Sequence, residues 1–100
     1  MRSMTEMLDM GLAVISGEVR SARPDSFSYI NKKNGMKVDV KLVRLGLEIG
    51  AQAEQCEGRL DVEQVPPWAA RGKKYYFGCD ELSRENRRLS VRIKEIAEMD

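Results

Sequence analysis

Basic and aromatic side chains surround the Asn34-Gly35 pair in the second quarter of the chain. The cluster holds four lysines and two aromatic residues: Lys32, Lys33, Lys37, Lys41, Phe27 and Tyr29. Ammonium groups contact phosphates, and flat aromatic rings stack on unpaired bases, so this combination suits single-stranded nucleic acid. We therefore take the cluster as the first candidate binding site.

Two arginines and a second Lys-Tyr pair extend this candidate site. Arg20 and Arg23 lie at the end of the first predicted strand, on the way to the Asn-Gly turn. Lys74 and Tyr76 share one face of a later strand and form a predicted surface pair. A nucleic-acid site needs its basic and aromatic side chains on one face, whereas a protein-interaction module does not.

The chain contains no histidine, which removes the commonest general acid/base and the commonest metal ligand. Its acidic residues are scattered among basic ones, with no Gly-rich phosphate loop to organise them. Cys56 and Cys79 are far apart, and we expect them as buried apolar groups without a disulfide. We predict no catalytic residue, no metal and no cofactor, which describes a protein that is not an enzyme.

Length and composition indicate one globular domain in the cytoplasm. The 100 residues are 42% hydrophobic and 33% charged, and no apolar run is long enough to span a bilayer. Residues 17–47 carry seven Lys/Arg against three acids, a net charge of +4. Residues 48–65 carry one Arg against five acids, a net charge of −4. A local basic track fits phosphate binding, and charges that only keep the domain soluble are the alternative.

Alternating apolar residues predict short strands throughout the domain, residues 12–100. The predicted strands cover residues 12–20, 27–31, 36–49, 59–63, 73–79 and 89–97. A helix is the alternative for the last of these. Asn34-Gly35 predicts a type I′ hairpin turn, and a phase change near Leu42-Val43 indicates a β-bulge. We expect a turn at residues 23–26 and a flexible, Met-rich leader over residues 1–11, with a weak helix as the alternative.

Short strands separated by turn signals every 8 to 12 residues predict an all-β fold. A long bent strand that leads into a hairpin best fits a five-stranded Greek-key barrel of the OB type. We therefore predict an OB-like barrel with a protruding basic β-hairpin.

Two segments resemble the filamentous-phage single-stranded DNA-binding proteins, the helix-destabilising or gene V protein family. Residues 31–38, NKKNGMKV, are similar to that family's DNA-binding hairpin. Residues 65–75, VPPWAARGKKY, feed a late strand, and residues 89–96 close the barrel. The resemblance implies an OB-like fold, a symmetric dimer, and cooperative, largely sequence-independent coating of single-stranded DNA in phage-type replication.

Large aromatic residues in the C-terminal half support the dimer. Trp68, Tyr75 and Phe77 are more than a small barrel encloses easily, so we expect them at a dimer interface. The core is the alternative for Tyr75 and Phe77. RNA is the alternative nucleic acid, since no residue pattern in the sequence recognises the 2′-hydroxyl group. The rival function is a small β-barrel module that binds another protein through its acidic segment, residues 48–63.

Overall fold

A computed structural model describes residues 2–85 and 87–99 and shows the predicted all-β fold, with one short helix added at the N-terminal end. The elements are α1 (Met4–Asp9), β1 (Ala13–Ile30), β2 (Lys37–Ile49), β3 (Glu54–Leu60), β4 (Lys74–Glu85) and β5 (Arg88–Glu98). The last element is a strand, the favoured of the two alternatives. Among the described residues, no helix is long and apolar enough to cross a membrane.

The five strands form one mixed sheet whose hydrogen bonds close into a ring. The order is β1-β2-β3-β5-β4, and β4 pairs again with β1. All neighbours are antiparallel except β3 and β5, which are parallel. Alternate side chains point into the ring and form its hydrophobic core. The completely or almost completely buried core residues include Val19, Val43, Leu45, Leu47, Phe77, Val91 and Ile93.

The first strand is much longer than predicted, and the turn expected at residues 23–26 is absent. β1 runs without a break through Pro24, which lies opposite Val43 on β2. The N–H of Val19 still donates to the Lys73 carbonyl, and beyond Val19 the described part of β4 has no register partner for β1, so that edge of the strand is open. An open edge tolerates proline because a missing N–H group costs no ladder hydrogen bond there.

The β-bulge predicted near Leu42-Val43 is also wrong. The pairing of β2 with β1 is continuous there, and the register instead shifts in β1 between Val19 and Ser21. Leu42 and Val43 point to opposite faces, yet both are fully buried. Two adjacent buried residues therefore produced an apparent change of phase in a strand that keeps its register.

The β1–β2 hairpin extends beyond the ring as a two-stranded arm, which we define as residues 25–42. Within the arm the two strands pair only with each other, and the molecule measures 47 × 29 × 28 Å. The connecting loop, residues 31–36, is longer than a type I′ turn. The N–H of Gly35 donates to the carbonyl of Asn31 at 2.7 Å, and Gly35 has a φ of +69°. Asn34 does not share that positive φ, so the type I′ prediction fails.

The third strand and the final hairpin also differ from prediction. β3 spans Glu54–Leu60 because Cys56, Gly58 and Leu60 face the core opposite β2. The strands predicted at residues 73–79 and 89–97 are longer in the structure, because β4 continues through Glu85 and β5 begins at Arg88. The β4–β5 hairpin therefore extends past its pairing with β1 on the β4 side, whereas β3 pairs with β5 up to Leu89.

A short helix lies where a flexible leader was expected. The Ser3 hydroxyl accepts from the Glu6 N–H at 3.1 Å, and the Glu6 side chain accepts from the Ser3 N–H, which makes a capping box. Met7 is fully buried, and its sulfur lies over Gly78, where a Cβ atom would overlap it. The weak-helix alternative is therefore the observed one, and burial of Met7 supports it.

Both cysteines are buried and free, as predicted. Burial raises the pKa of Cys56 to about 11 and that of Cys79 to about 12, because the thiolate is poorly solvated inside the core. Neither thiol is therefore ionised near neutral pH.

Candidate nucleic-acid interface

The two aromatic residues of the arm lie on one exposed face, as their spacing predicted. Phe27 is opposite Val40 and Tyr29 is opposite Val38, so all four side chains share this face. Phe27 is 42% exposed and Tyr29 is 49% exposed. The rings have the free surface that stacking on a base requires.

The strand lysines of the arm lie on the opposite face. Lys37 is the cross-strand partner of Ile30, and Lys41 is the partner of Ser26. Residues that are direct partners point to the same side, so these lysines point away from the aromatic rings. Lys32 and Lys33 are in the loop at the end of the arm and are exposed. The lysines and the aromatic rings thus do not form one common face along the strands.

Arginines supply the basic groups that do share the aromatic face. The register pairs Arg23 with Arg44, Arg44 with Arg59, and Arg59 with Arg92. These pairs place four guanidinium-bearing residues in a row across β1, β2, β3 and β5, with one strand spacing of about 4.8 Å between backbones. We call this set the arginine row.

The arginine row and the aromatic pair are on the outer face of the same sheet. Leu45, the neighbour of Arg44, points into the core, so Arg44 points outward. From Arg23 onward β1 keeps its register, and Phe27 and Tyr29 follow at even spacing on the same side. A continuous surface therefore leads from the arginine row to the arm.

Carboxylates hold the like-charged arginines beside one another. Like charges directly opposite in a sheet are destabilising unless other charges compensate them. Arg44 donates to Asp25 at 2.6 Å and to Glu57 at 2.9 Å. Arg59 donates to Asp61 at 2.8 Å. Each of these arginines therefore has at least one acidic partner.

Arg92 is held in the same way, and Arg23 is not. Arg92 donates to both oxygens of Asp80, at 2.8 and 2.9 Å. This hydrogen bonding lowers the pKa of Asp80, and the bond from Arg44 lowers the pKa of Asp25. Among the carboxylates of residues 2–84 and 87–99, none lies within 4 Å of the Arg23 guanidinium. Arg23 is thus the member of the row with the most unsatisfied donors.

A shallow cavity of about 200 Å³ lies between the arginine row and the β4–β5 hairpin. Its polar lining includes Ser21, Arg23, Arg44, Gln55 and Arg88. Gly46 forms part of the floor, where the side chain of any other residue would overlap the Ser21 hydroxyl. Arg88 therefore adds a further basic group from the second hairpin, at the side of the row.

Three predicted binding residues lie away from this surface or are engaged elsewhere. Arg20 is the extra residue at the β1 register shift, and it donates to Glu18 at 2.6 Å. Lys74 and Tyr76 pair with Glu18 and Ser16, at the end of β1 farthest from the arm. The structure does not bring these side chains together with Phe27 and Tyr29.

The predicted interface aromatics form a cluster at the edge of the core. Phe77 is fully buried and Tyr75 nearly so, which is the core alternative for both. The Tyr75 hydroxyl donates to the Trp68 carbonyl at 2.7 Å, and the two ring centroids are 5.4 Å apart, edge to face. Trp68 is only partly buried, so it keeps surface for a partner.

Sequence reasoning missed three members of the row: Arg44, Arg59 and Arg92. In the sequence each is a single polar position in an alternating strand, so each resembles a solvated surface charge. Only cross-strand register brings the three together. Among the described residues, no group of acidic and cysteine side chains could hold a metal ion.

Comparison with known proteins adds nothing to this geometry. No protein-family model matches the chain, and no curated protein or solved structure is significantly similar to it.

Proposed function

We propose that this protein binds single-stranded DNA without reading its base sequence. The observation that carries the proposal is the shared outer face of the arginine row and the aromatic pair, Phe27 and Tyr29. Guanidinium groups contact phosphate oxygens, and the exposed rings stack on bases. Stacking requires bases that are not already stacked in a duplex, so the surface favours single strands.

Some guanidinium N–H groups on this surface already donate to carboxylates of the protein. This arrangement suits a site that binds DNA without reading its sequence. Arg44, Arg59 and Arg92 are oriented by their carboxylates and still have N–H groups beyond those bonds, because a guanidinium has five donors. Oriented guanidinium groups lose less side-chain entropy when a phosphate arrives. Phosphate contacts carry no sequence information, and stacking accepts every base.

We further propose that the closed ring is a Greek-key barrel of the OB type. Two observations support this: the strand order β1-β2-β3-β5-β4 and the parallel pairing of β3 with β5. In OB-folds, oligonucleotides bind across strands 2 and 3 between the β1–β2 and β4–β5 connections. The arginine row crosses β2 and β3, and the arm extends at the β1–β2 connection.

The proposed biological role is cooperative coating of single-stranded DNA, as in phage-type replication in the cytoplasm, by a homodimer. The resemblance of the hairpin segment to the phage proteins supports it, and the free surface of Trp68 supports a contact between copies. RNA is the alternative strand. Two linked binding sites would strengthen binding by raising the effective concentration of the second contact.

A titration of the full chain with fluorescently labelled poly(dT) tests the proposed function. We expect saturable binding whose affinity falls linearly with salt on a logarithmic plot, and much weaker binding to duplex of the same length. Poly(dT) and poly(dC) should bind with similar affinity. Absence of binding at low salt, or equal binding to duplex, would contradict the proposal. Absence of binding would favour the protein-interaction module.

A further inference from the structure

The end of the arm carries two exposed apolar side chains that the proposed DNA surface does not use, Ile30 on the lysine face and Met36 in the loop. Ile30 is 60% exposed and Met36 is 64% exposed, the highest values among the large apolar residues described. Ile30 is the cross-strand partner of Lys37, on the face opposite Phe27 and Tyr29. We call the set formed by Ile30, Met36, Lys32, Lys33 and Lys37 the arm knob.

An apolar groove lies elsewhere on the molecule, between the connection after β3 and strand β5. Its volume is about 240 Å³. The apolar residues that line it are Leu60, Val62, Pro66, Trp68, Ile93 and Ile96. Val62 is 43% exposed and Trp68 is partly exposed, so this groove presents apolar surface to solvent. We call it the Trp68 groove.

The rim of the groove and the arm knob carry opposite charge. Asp61 and Glu63 flank Val62 on the exposed connection; Asp61 accepts from Arg59 at 2.8 Å, so Glu63 is the acidic group that a partner can engage first. Within the described residues, no basic group lies within 4 Å of the Glu63 carboxylate. Lys94 also lines the groove, where it is followed by Glu95. Apolar centres with complementary charged edges are typical of surfaces that bind each other.

The arm of the same chain cannot fill this groove. Leu60, at the groove, pairs with Val43, and the arm strand runs six residues from Val43 to Lys37. An extended strand of that length spans about 20 Å, so the arm knob lies far from the groove of its own chain. A second copy of the chain is the occupant that carries the matching apolar and basic groups.

We propose that the arm knob of one copy docks into the Trp68 groove of another. Ile30 and Met36 enter the groove, and the loop lysines face Asp61 and Glu63. The contact rests on the association of copies in the proposed function and names its two surfaces. It needs no nucleic acid and leaves Phe27 and Tyr29 free on the aromatic face of the arm. A hairpin tip buries less surface than a standard interface of about 1,600 Å², so the contact is weak alone and strengthened when copies line up on one strand.

Zero-length cross-linking with a carbodiimide tests the contact in the absence of nucleic acid. This reagent joins a lysine amine to a carboxylate as an amide only when the two are in contact. We expect amides between Lys32 or Lys33 and Asp61 or Glu63, identified by mass spectrometry of the full chain. An equal mixture of ¹⁴N- and ¹⁵N-labelled protein separates the sources, because a contact between copies produces mixed-isotope peptides. Products from single copies only would overturn the proposal.

Matched variants test the apolar half of the contact. Ile30→Asp should reduce the mixed product about tenfold or more, because an unpaired carboxylate would enter an apolar groove. Leu8→Asp changes an equally exposed apolar residue on α1 and should leave the yield unchanged. An unchanged yield in Ile30→Asp would also overturn the proposal. Ile30→Ala adds no charge beside Lys37. It should also lower the mixed product and keep the wild-type affinity for a short labelled oligonucleotide, which separates this contact from the DNA surface.

Discussion

Arg44 on β2 and Arg59 on β3 lie directly opposite each other on the outer face, and each donates to a carboxylate. Two like charges in this position cost stability, yet the register repeats the arrangement with Arg23 on one side and Arg92 on the other. A phosphate backbone lying across the strands would compensate the row. This relationship leads to the first two predictions.

Arg59→Gln should weaken binding to all single-stranded sequences alike and flatten the salt dependence by about 0.7 in the logarithmic slope. The melting temperature should not fall, since the change also removes repulsion from Arg44 and Arg92. Titrations at several salt concentrations and a thermal scan measure both quantities. Arg71→Gln, in the connection between β3 and β4, is the matched control. An equal effect of Arg71→Gln would show that only net charge matters.

Asp25→Asn should strengthen DNA binding by up to about fivefold, the size of an exposed charge interaction. Asp25 lies on the outer face between the arginine row and Phe27, and it accepts from Arg44. Because that bond lowers the pKa of Asp25, the carboxylate stays charged at pH 7. Asp39→Asn, on the other face of the arm, should have a smaller effect. Weaker binding by Asp25→Asn would mean that Asp25 mainly positions Arg44 for the strand.

Tyr29→Ala should cost about 1 to 3 kcal/mol of binding free energy per stacked base and leave the melting temperature nearly unchanged. The ring is half exposed on the arm and belongs to no core contact that the fold needs. Ile30→Ala is the control, because the next residue along the strand faces the opposite side. Binding of a short labelled oligonucleotide measures the loss. Equal losses in the two variants would exclude a stacking face.

Lys32→Ala combined with Lys33→Ala should reduce affinity for all sequences and flatten the salt slope by about 0.7 for each phosphate that the variant no longer binds. These lysines sit in the loop, where long side chains reach either face of the arm. Lys37→Ala combined with Lys41→Ala should reduce affinity less, because both residues point away from the aromatic rings. A larger effect from the Lys37→Ala and Lys41→Ala variant would show that the DNA strand binds the lysine face of the arm.

The cysteines should make stability fall at alkaline pH. The pKa of Cys56 in the folded chain is about 11 and that of Cys79 about 12, against an ordinary value of 9.0. Their contribution is complete below pH 9.0 and is lost as pH rises toward the folded values, since the unfolded chain ionises first. Urea unfolding at pH 7, 9 and 10 measures this loss. The loss of stability between pH 7 and pH 10 should be smaller in the double variant Cys56→Ala/Cys79→Ala. In the folded wild-type protein, the two thiols should not react with a thiol reagent at pH 8.

Local patterns predicted what depends on neighbouring residues. Alternation placed Phe27 and Tyr29 on one face and assigned the strand character of β1, β2, β4 and β5, because side chains alternate in any strand. Gly35 marked the arm's turn through its positive φ. The capping box of Ser3 and Glu6 was also readable from the sequence and was overlooked.

The lengths of the turns and strands were not predicted, because they depend on contacts between residues that are far apart in the sequence. Pro24 lies in a strand since the edge beside it is open, which depends on where β4 ends. Leu42 is buried on the outer face next to the core residue Val43, and two adjacent apolar residues were interpreted as a β-bulge that is absent. β3 begins at Glu54 because Cys56 pairs with Leu47 on β2, and both side chains are buried in the core. In each case a partner far away in sequence overrides the local preference.

The sequence by itself determined that this chain forms strands of alternating apolar residues and a hairpin with two aromatic rings on one side, and that histidine takes no part in its chemistry. Only the tertiary structure decided which basic groups join those rings. Arg23, Arg44, Arg59 and Arg92 come from four strands, and a slip of one residue in any pairing would turn a strand's side chains to the other face. Closure of the ring around Leu45, Leu47 and Phe77 sets that register, and no local pattern contains it.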